Sequence, residues 1–188
     1  IDIDNKNPYF NEPILLTASL KIANYLQLES LNEQIEMLDG FIVKPLDTQW
    51  LGERKNAEVV YRKKYMLFPA KVGAIAIANQ PLTLGIVQSR GNSIFRQTKQ
   101  LQAYSNPLNI EVKALPNGVN LLGDFSMNVK VDKTIVEAKK PVNIEIVIEG
   151  EGSLESFEPF TLHIPNATVF DDKPIFDSTL KNGKLFSK

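Results

Sequence analysis

The chain has 188 residues, 43% of them hydrophobic and 23% charged; these are ordinary globular proportions, which exclude disorder and fibrous repeats, and at about 150 residues per domain the length suits one large domain or two small ones. Twenty-one Lys and Arg against 22 Asp and Glu leave a net charge of −1, so no whole-molecule field draws the chain to nucleic acid or to an anionic bilayer. The longest clean apolar run, seven residues from Val72 to Ala78, is far shorter than the roughly 20 that a helix needs to cross a bilayer.

The absence of cysteine excludes disulfides, thiolate metal sites and cysteine nucleophiles together. The start, Ile1-Asp2-Ile3-Asp4, carries neither the basic region nor the apolar stretch of a secretory signal. A chain beginning without Met is expected to be a processed product or a fragment.

Period-two alternation dominates from the first third onward. Ile14, Leu16, Ala18, Leu20 and Ile22 alternate with more polar neighbours, the pattern of a strand with one buried face. In chain order, similar runs are Val59 to Phe68, Val72 to Ala78, Leu82 to Val87, Leu108 to Val112, Phe125 to Val131 and Val142 to Ile148. Most prolines sit at the ends of these runs, where a missing N–H costs no ladder bond. One helix is predicted between the first two of these strands: Ser30 and Glu33 have capping-box spacing, and Leu28, Leu31, Ile35 and Leu38 recur at near-helical intervals before Gly40. The polar stretch from Arg90 to Tyr104 fits either a long loop or a twisted edge strand. Leu115-Pro116-Asn117-Gly118 is the best domain boundary, because this sequence favours a turn with Gly118 at positive φ.

The second half restates the first at an offset of 128 residues, the distance from Pro13 to Pro141. The same offset places Ile1-Asp2-Ile3-Asp4 on Val129-Lys130-Val131-Asp132, and Phe41 on Val169. A shared offset across three strand signatures argues for two copies of one topology. On this mapping the first copy starts partway through its opening strand and the second lacks its closing hairpin. The expectation is therefore a polypeptide that extends in both directions. The fold class is all-β: two tandem immunoglobulin-like β-sandwich domains, residues 1–116 and 117–188, with one short helix in the first.

The run Pro107 to Pro116, then Gly123-Asp124-Phe125-Ser126-Met127, then Glu137 to Ile148, then Gly150-Glu151-Gly152-Ser153-Leu154, resembles in its order the BatD family of bacterial oxygen-tolerance proteins. The earlier segments Asn11-Glu12-Pro13-Ile14, Gly40-Phe41-Ile42-Val43 and Tyr65 to Gly73 resemble the family's preceding sandwich. The resemblance marks Pro13, Phe41, Pro69, Gly73, Pro116, Phe125, Pro141, Gly150, Gly152 and Leu154 as turn and strand positions. Ser153 stands where the family usually carries Asn, and Leu122 where it usually carries Val. The resemblance implies a non-enzymatic periplasmic protein, anchored to the inner membrane through a segment not present in this chain and associated with aerotolerance and envelope stress. It further implies von Willebrand A-domain membrane proteins and a MoxR-type ATPase as partners. No cofactor, no nucleic acid and no direct membrane insertion are implied. A carbohydrate-binding or adhesion sandwich is the alternative, and an accessory domain of an enzyme whose active site lies elsewhere is a third possibility.

The residues that carry chemistry have plainer readings. His163 is the only histidine, too few for an ordinary histidine metal site, and no G-x-S-x-G turn offers it a nucleophile; a solvent-facing strand position is expected. Asp2, Asp4, Asn5 and Asn7 resemble a calcium loop, but Lys6 and a missing Gly break the EF-hand pattern, leaving an Asx-rich turn. Glu149, Glu151, Glu155 and Glu158 read as a solvated turn. Arg62-Lys63-Lys64 between Tyr61 and Tyr65 is too small a footprint for nucleic acid, and alternation sends Lys63 to the same face as Tyr61 and Tyr65. Trp50, the only tryptophan, is the candidate protein contact, since tryptophan is enriched at interface hot spots; capping of the core is the equal alternative.

Overall fold

Alternating side chains bury only one face of a strand, so each strand needs neighbours at both edges and a layer above its apolar face. The computed structural model of the protein describes residues 1–33, 35–88, 97–119, 121–154, 157–181 and 184–188. In chain order its strands are β1 (Asp2–Ile3), β2 (Ile14–Ala23), β3 (Gln27–Glu33), β4 (Phe41–Pro45), β5 (Leu51–Lys55), β6 (Glu58–Pro69), β7 (Gly73–Ile77), β8 (Pro81–Gln88), β9 (Gln97–Tyr104), β10 (Leu108–Val112), β11 (Gly123–Val131), β12 (Ile144–Gly152), β13 (Ser178–Lys181) and β14 (Lys184–Ser187). The chain divides into two compact units, residues 1–114 and 115–188.

In the first unit one sheet runs β1-β2-β6, with β4 and β5 both paired to the far edge of β6. A second layer is built from the ladders β10-β7 and β3-β8-β9. β7 and β8 form one interrupted strand, and β10 and β9 another; their interruptions are tied together by the Ser105 N–H donating to the Gln80 carbonyl and the Asn79 amide donating to the Ser105 carbonyl. Counted this way, the order of four strands facing three is that of a constant-type immunoglobulin sandwich. Ile14, Leu16 and Ala18 of β2 and Tyr65 and Leu67 of β6 meet Ile75, Ile77, Leu108, Ile110 and Val112 of the second layer in one buried cluster.

The segment expected to be helical is a strand. Residues Gln27–Glu33 pair with β8, with a register shift between Leu28 and Ser30, and only a single 3-10 turn, Ile35–Met37, follows. An isolated helix of so few residues is marginal in water, whereas β8 offers a full ladder. Ile35 and Leu38 are still buried in the core; the turn delivers them there. Of the stretch from Arg90 to Tyr104, residues 97–104 form the edge strand β9 on β8, and residues 90–96 lie outside those described. β5 and β9 are exposed along nearly their whole length, so no alternation marked them.

In the second unit the sheet runs β11-β12-β14-β13, and the offset of 128 recurs in its register. Asp2 pairs with Thr17 and Ile3 with Leu16; the residues 128 further on, Lys130 with Glu145 and Val131 with Ile144, are also paired. Ile22 with Val59 and Ala23 with Glu58 map in the same way onto Gly150 with Ser187 and Glu151 with Phe186. The strand start is closed by the same device twice. Asp4 accepts the Leu15 N–H at 2.9 Å through its side chain and donates its own N–H to the Leu15 carbonyl, and Asp132 does both to Asn143 at the matching places. Val169, matched to Phe41, is not in a strand. β4 exists because Tyr65–Pro69 pairs with it; among the described residues no strand pairs with Val169.

Two glycines of the second unit are fixed by one ring and a third by backbone. A Cβ on Gly152 would sit 2.7 Å from the Phe125 ring, one on Gly123 would run into the same ring, and one on Gly150 would run into the Asp124 carbonyl oxygen. The Gly-x-Phe and Gly-x-Gly spacings therefore let an aromatic side chain lie flat across paired strands. The expected outcome for Gly150→Ala is a loss of about 2 kcal/mol in the unfolding transition of the second unit, since neither contact is with a movable side-chain end. Asn128→Ala on the same sheet should cost under about 0.5 kcal/mol. Urea titration followed by circular dichroism measures both.

Candidate functional site

Strand parity sends Tyr61, Lys63, Tyr65 and Leu67 of β6 to the inner side, where an ammonium group needs a partner. The structure supplies Glu33, the last residue of β3. Its carboxylate accepts from Lys63 Nζ at 2.6 Å, Tyr65 Oη at 2.6 Å and Trp50 Nε1 at 2.9 Å. The Lys63 and Glu33 side chains are each 10% exposed. Burial pushes the Glu33 carboxyl up, but the hydrogen bonds from Lys63, Tyr65 and Trp50 and the Lys63 charge together outweigh it and hold the group below the usual carboxylate range. Beside this hub a groove of about 540 Å³ runs along β3 from Leu28 to Glu33 and is closed on its other side by Thr48, Gln49, Trp50, Tyr61 and Lys63. A carboxylate held ionised by three donors is a poor general base near neutral pH; the hub ties the two layers together.

Trp50 is half-buried, packs against the core cluster and spends its indole N–H on Glu33. Phe41 opens β4 and packs on the same cluster, while Pro69 closes β6 fully buried. Pro13 precedes β2, and Gly73 begins β7 at φ 98°. Pro116 accepts the Val119 N–H across a turn in which Gly118 takes φ 78°. Pro141 is exposed ahead of β12, Phe125 lies across the glycines, and Leu154 is buried just after Gly152.

The polar clusters are spent locally. Asp4 closes the strand pair, Asn5 caps the Asn7 N–H and holds Glu12, and Glu12 takes the Tyr9 N–H at 2.7 Å. Arg62 pairs with Glu53 at 3.2 Å, Glu151 with Lys184 at 2.7 Å and Glu149 with Lys188 at 3.8 Å. Glu155 lies outside the described residues. His163 is exposed, but outside any strand. Among the described residues no three His, Asp or Glu side chains gather as metal ligands, and no helix is long and apolar enough to cross a membrane.

The second unit carries a different surface. Register places Phe125, Met127, Val129 and Val131 of β11 on one face with Ile148, Ile146 and Ile144 of β12. In the first unit Ile3, Leu16 and Ala18, the equivalents of Val131, Ile144 and Ile146, are at most 6% exposed and cluster with residues of β7 and β10. In the second, Met127 is 61%, Val129 50%, Val131 48% and Ile144 37% exposed. The sequence offered Glu33 only as half of a capping box and this face only as two alternating strands. The signal for Glu33 was Lys63 at an inward parity, which demands a buried acceptor without saying where it comes from.

No protein-family model, curated protein or solved structure matches the chain significantly.

The Glu33 hub predicts an acid-sensitive first unit. A carboxyl held low in the fold contributes stability that is full above its ordinary value of 4.5 and is lost as pH falls through the folded value. Glu33→Gln should therefore flatten the acid limb of stability against pH. Glu33→Ala, which strands Lys63, should cost about 3 kcal/mol at pH 7, and Glu33→Leu with Lys63→Met much less. Thermal melts from pH 3 to 8 measure all three.

Proposed function

We propose that the chain is a non-enzymatic protein-interaction module of a BatD-like, membrane-anchored periplasmic protein, working with von Willebrand A-domain membrane proteins and a MoxR-type ATPase in tolerance of oxygen and envelope stress. The observation that supports the interaction role is the constant-type order of the first unit, four strands facing three, a sandwich architecture shared by many cell-surface domains. The BatD-like context rests on the order of motifs, and the positions it marks include the glycines packed on Phe125, the buried Pro69 and the Pro116 turn. The polar groups of the first unit add to the reading, because Glu33, Asp4 and Glu12 are consumed in holding strands together.

The test is a pull-down with the full-length protein from mildly solubilised membranes, with bound proteins identified by mass spectrometry. An A-domain membrane protein should be recovered. Recovery of no A-domain protein under mild conditions overturns the reading.

A further inference from the structure

We propose that the groove between β3 and the segment leading into β5 binds a neutral saccharide chain, a site within the first unit that stands apart from the interaction role proposed above. Among the described residues β3 pairs only with β8, and the groove runs along its other edge. Two aromatic side chains, Trp50 and Tyr61, line it and are half-buried. Both are held in place by the fold itself. The Trp50 indole N–H is spent on Glu33, which orients the ring. Tyr61 pairs with Gly52 across β6 and β5, and a Cβ at Gly52 would lie 2.8 Å from the Tyr61 ring, so the glycine leaves the ring room to lie over β5. The C–H faces of a pyranose carry partial positive charge and pack on the negative face of such rings.

The remaining lining groups select the occupant. Lys63 and Glu33 neutralise each other at 2.6 Å, and the Glu29 carboxylate reaches across β8 to accept from the Thr98 hydroxyl on β9, so a charged ligand finds no counter-ion in the groove. Amides and hydroxyls are what the walls still offer. Asn32, Thr48 and Gln49 are exposed, and their side chains hydrogen-bond to no other group among the described residues. Together they both donate and accept, as the vicinal hydroxyls of a sugar require. The volume of about 540 Å³ lies within the roughly 300–1,000 Å³ of small-ligand sites. An added peptide strand fits less well, because the register of β3 shifts between Leu28 and Ser30. A Cβ on Gly85 would run into the Ser30 hydroxyl, so that glycine admits the bulge. A bulge of this kind twists an edge away from ladder pairing.

Trp50 is the only tryptophan of the chain, so its fluorescence reads the groove directly. The intact chain is titrated with a soluble chito-oligosaccharide, a cello-oligosaccharide of the same length and, as the anionic comparison, a galacturonic oligosaccharide. A saturable change in emission is expected with a neutral chain, and which of the two binds tighter separates an acetamido sugar from a plain glucan. Asn32→Ala with Gln49→Ala, both exposed, should weaken binding by about tenfold with the melting temperature unchanged. Gly52→Ala, which drives the Tyr61 ring from its place, should weaken it by about fivefold. Gln100→Ala on β9, outside the groove, should leave it unchanged. No saturable change up to about 10 mM of either neutral chain, tighter binding of the galacturonic chain, or binding untouched by Asn32→Ala with Gln49→Ala would overturn the proposal. The titration and the membrane pull-down fail separately, since saccharide binding neither requires nor excludes an A-domain partner.

Discussion

The ladder between β2 and β6 is the constraint on which the first unit depends. Ten residue pairs run from Ile14 with Leu67 to Ala23 with Glu58 without a break in register. Because side chains alternate, a slip of one residue would send Ile14, Leu16, Ala18, Tyr65 and Leu67 out to solvent and bring Thr17, Ser19 and Lys64 in. That register decides which residues of β6 face the core, and so why Lys63 points inward and must find Glu33. β1, β4 and β5 then complete the sheet against edges that the ladder has already oriented.

The same ladder, begun but not completed, organises the second unit. β12 repeats β2, β11 repeats and lengthens β1, and the Asp132 closure repeats that of Asp4. β14 repeats the start of β6. In the first unit Leu16 and Ala18 of β2 are among the most deeply buried residues of the sandwich, whereas Met127, Val129 and Val131 of β11 are exposed.

Lys63 and Glu33 show how a charge enters such a core. Lys63 is flanked by Tyr61 and Tyr65 on its own strand, and its ammonium lies 5.2 Å from the Tyr65 ring centre. Glu33 sits at the end of the outer strand of the other layer, where the chain leaves β3 for the turn that carries Ile35 inward. A pair that is nearly buried contributes more to fixing which strands face each other than to net stability. Trp50 adds a third donor from the segment leading into β5, fastening that segment over the groove.

Alternation along Ile14–Ala23, Glu58–Pro69 and Leu108–Val112 was legible because each strand buries one face, and burial of one face is a local pattern. The offset of 128 was legible because Pro13 and Pro141 precede strands of the same period. The stretch from Leu28 to Leu38 was misleading for a physical reason: its apolar spacing suits a helix, its Ser and Glu suit a cap, and only β8, more than forty residues away, offered the ladder that made it a strand. β5, β9, β13 and β14 left no pattern because they are almost wholly exposed or very short. The sequence by itself determined the all-β class, the parity of the long strands and the repeat. Which edges are filled, which carboxylate meets Lys63 and which apolar face is left bare were decided only by tertiary structure, since each depends on the presence of a partner strand distant in the chain.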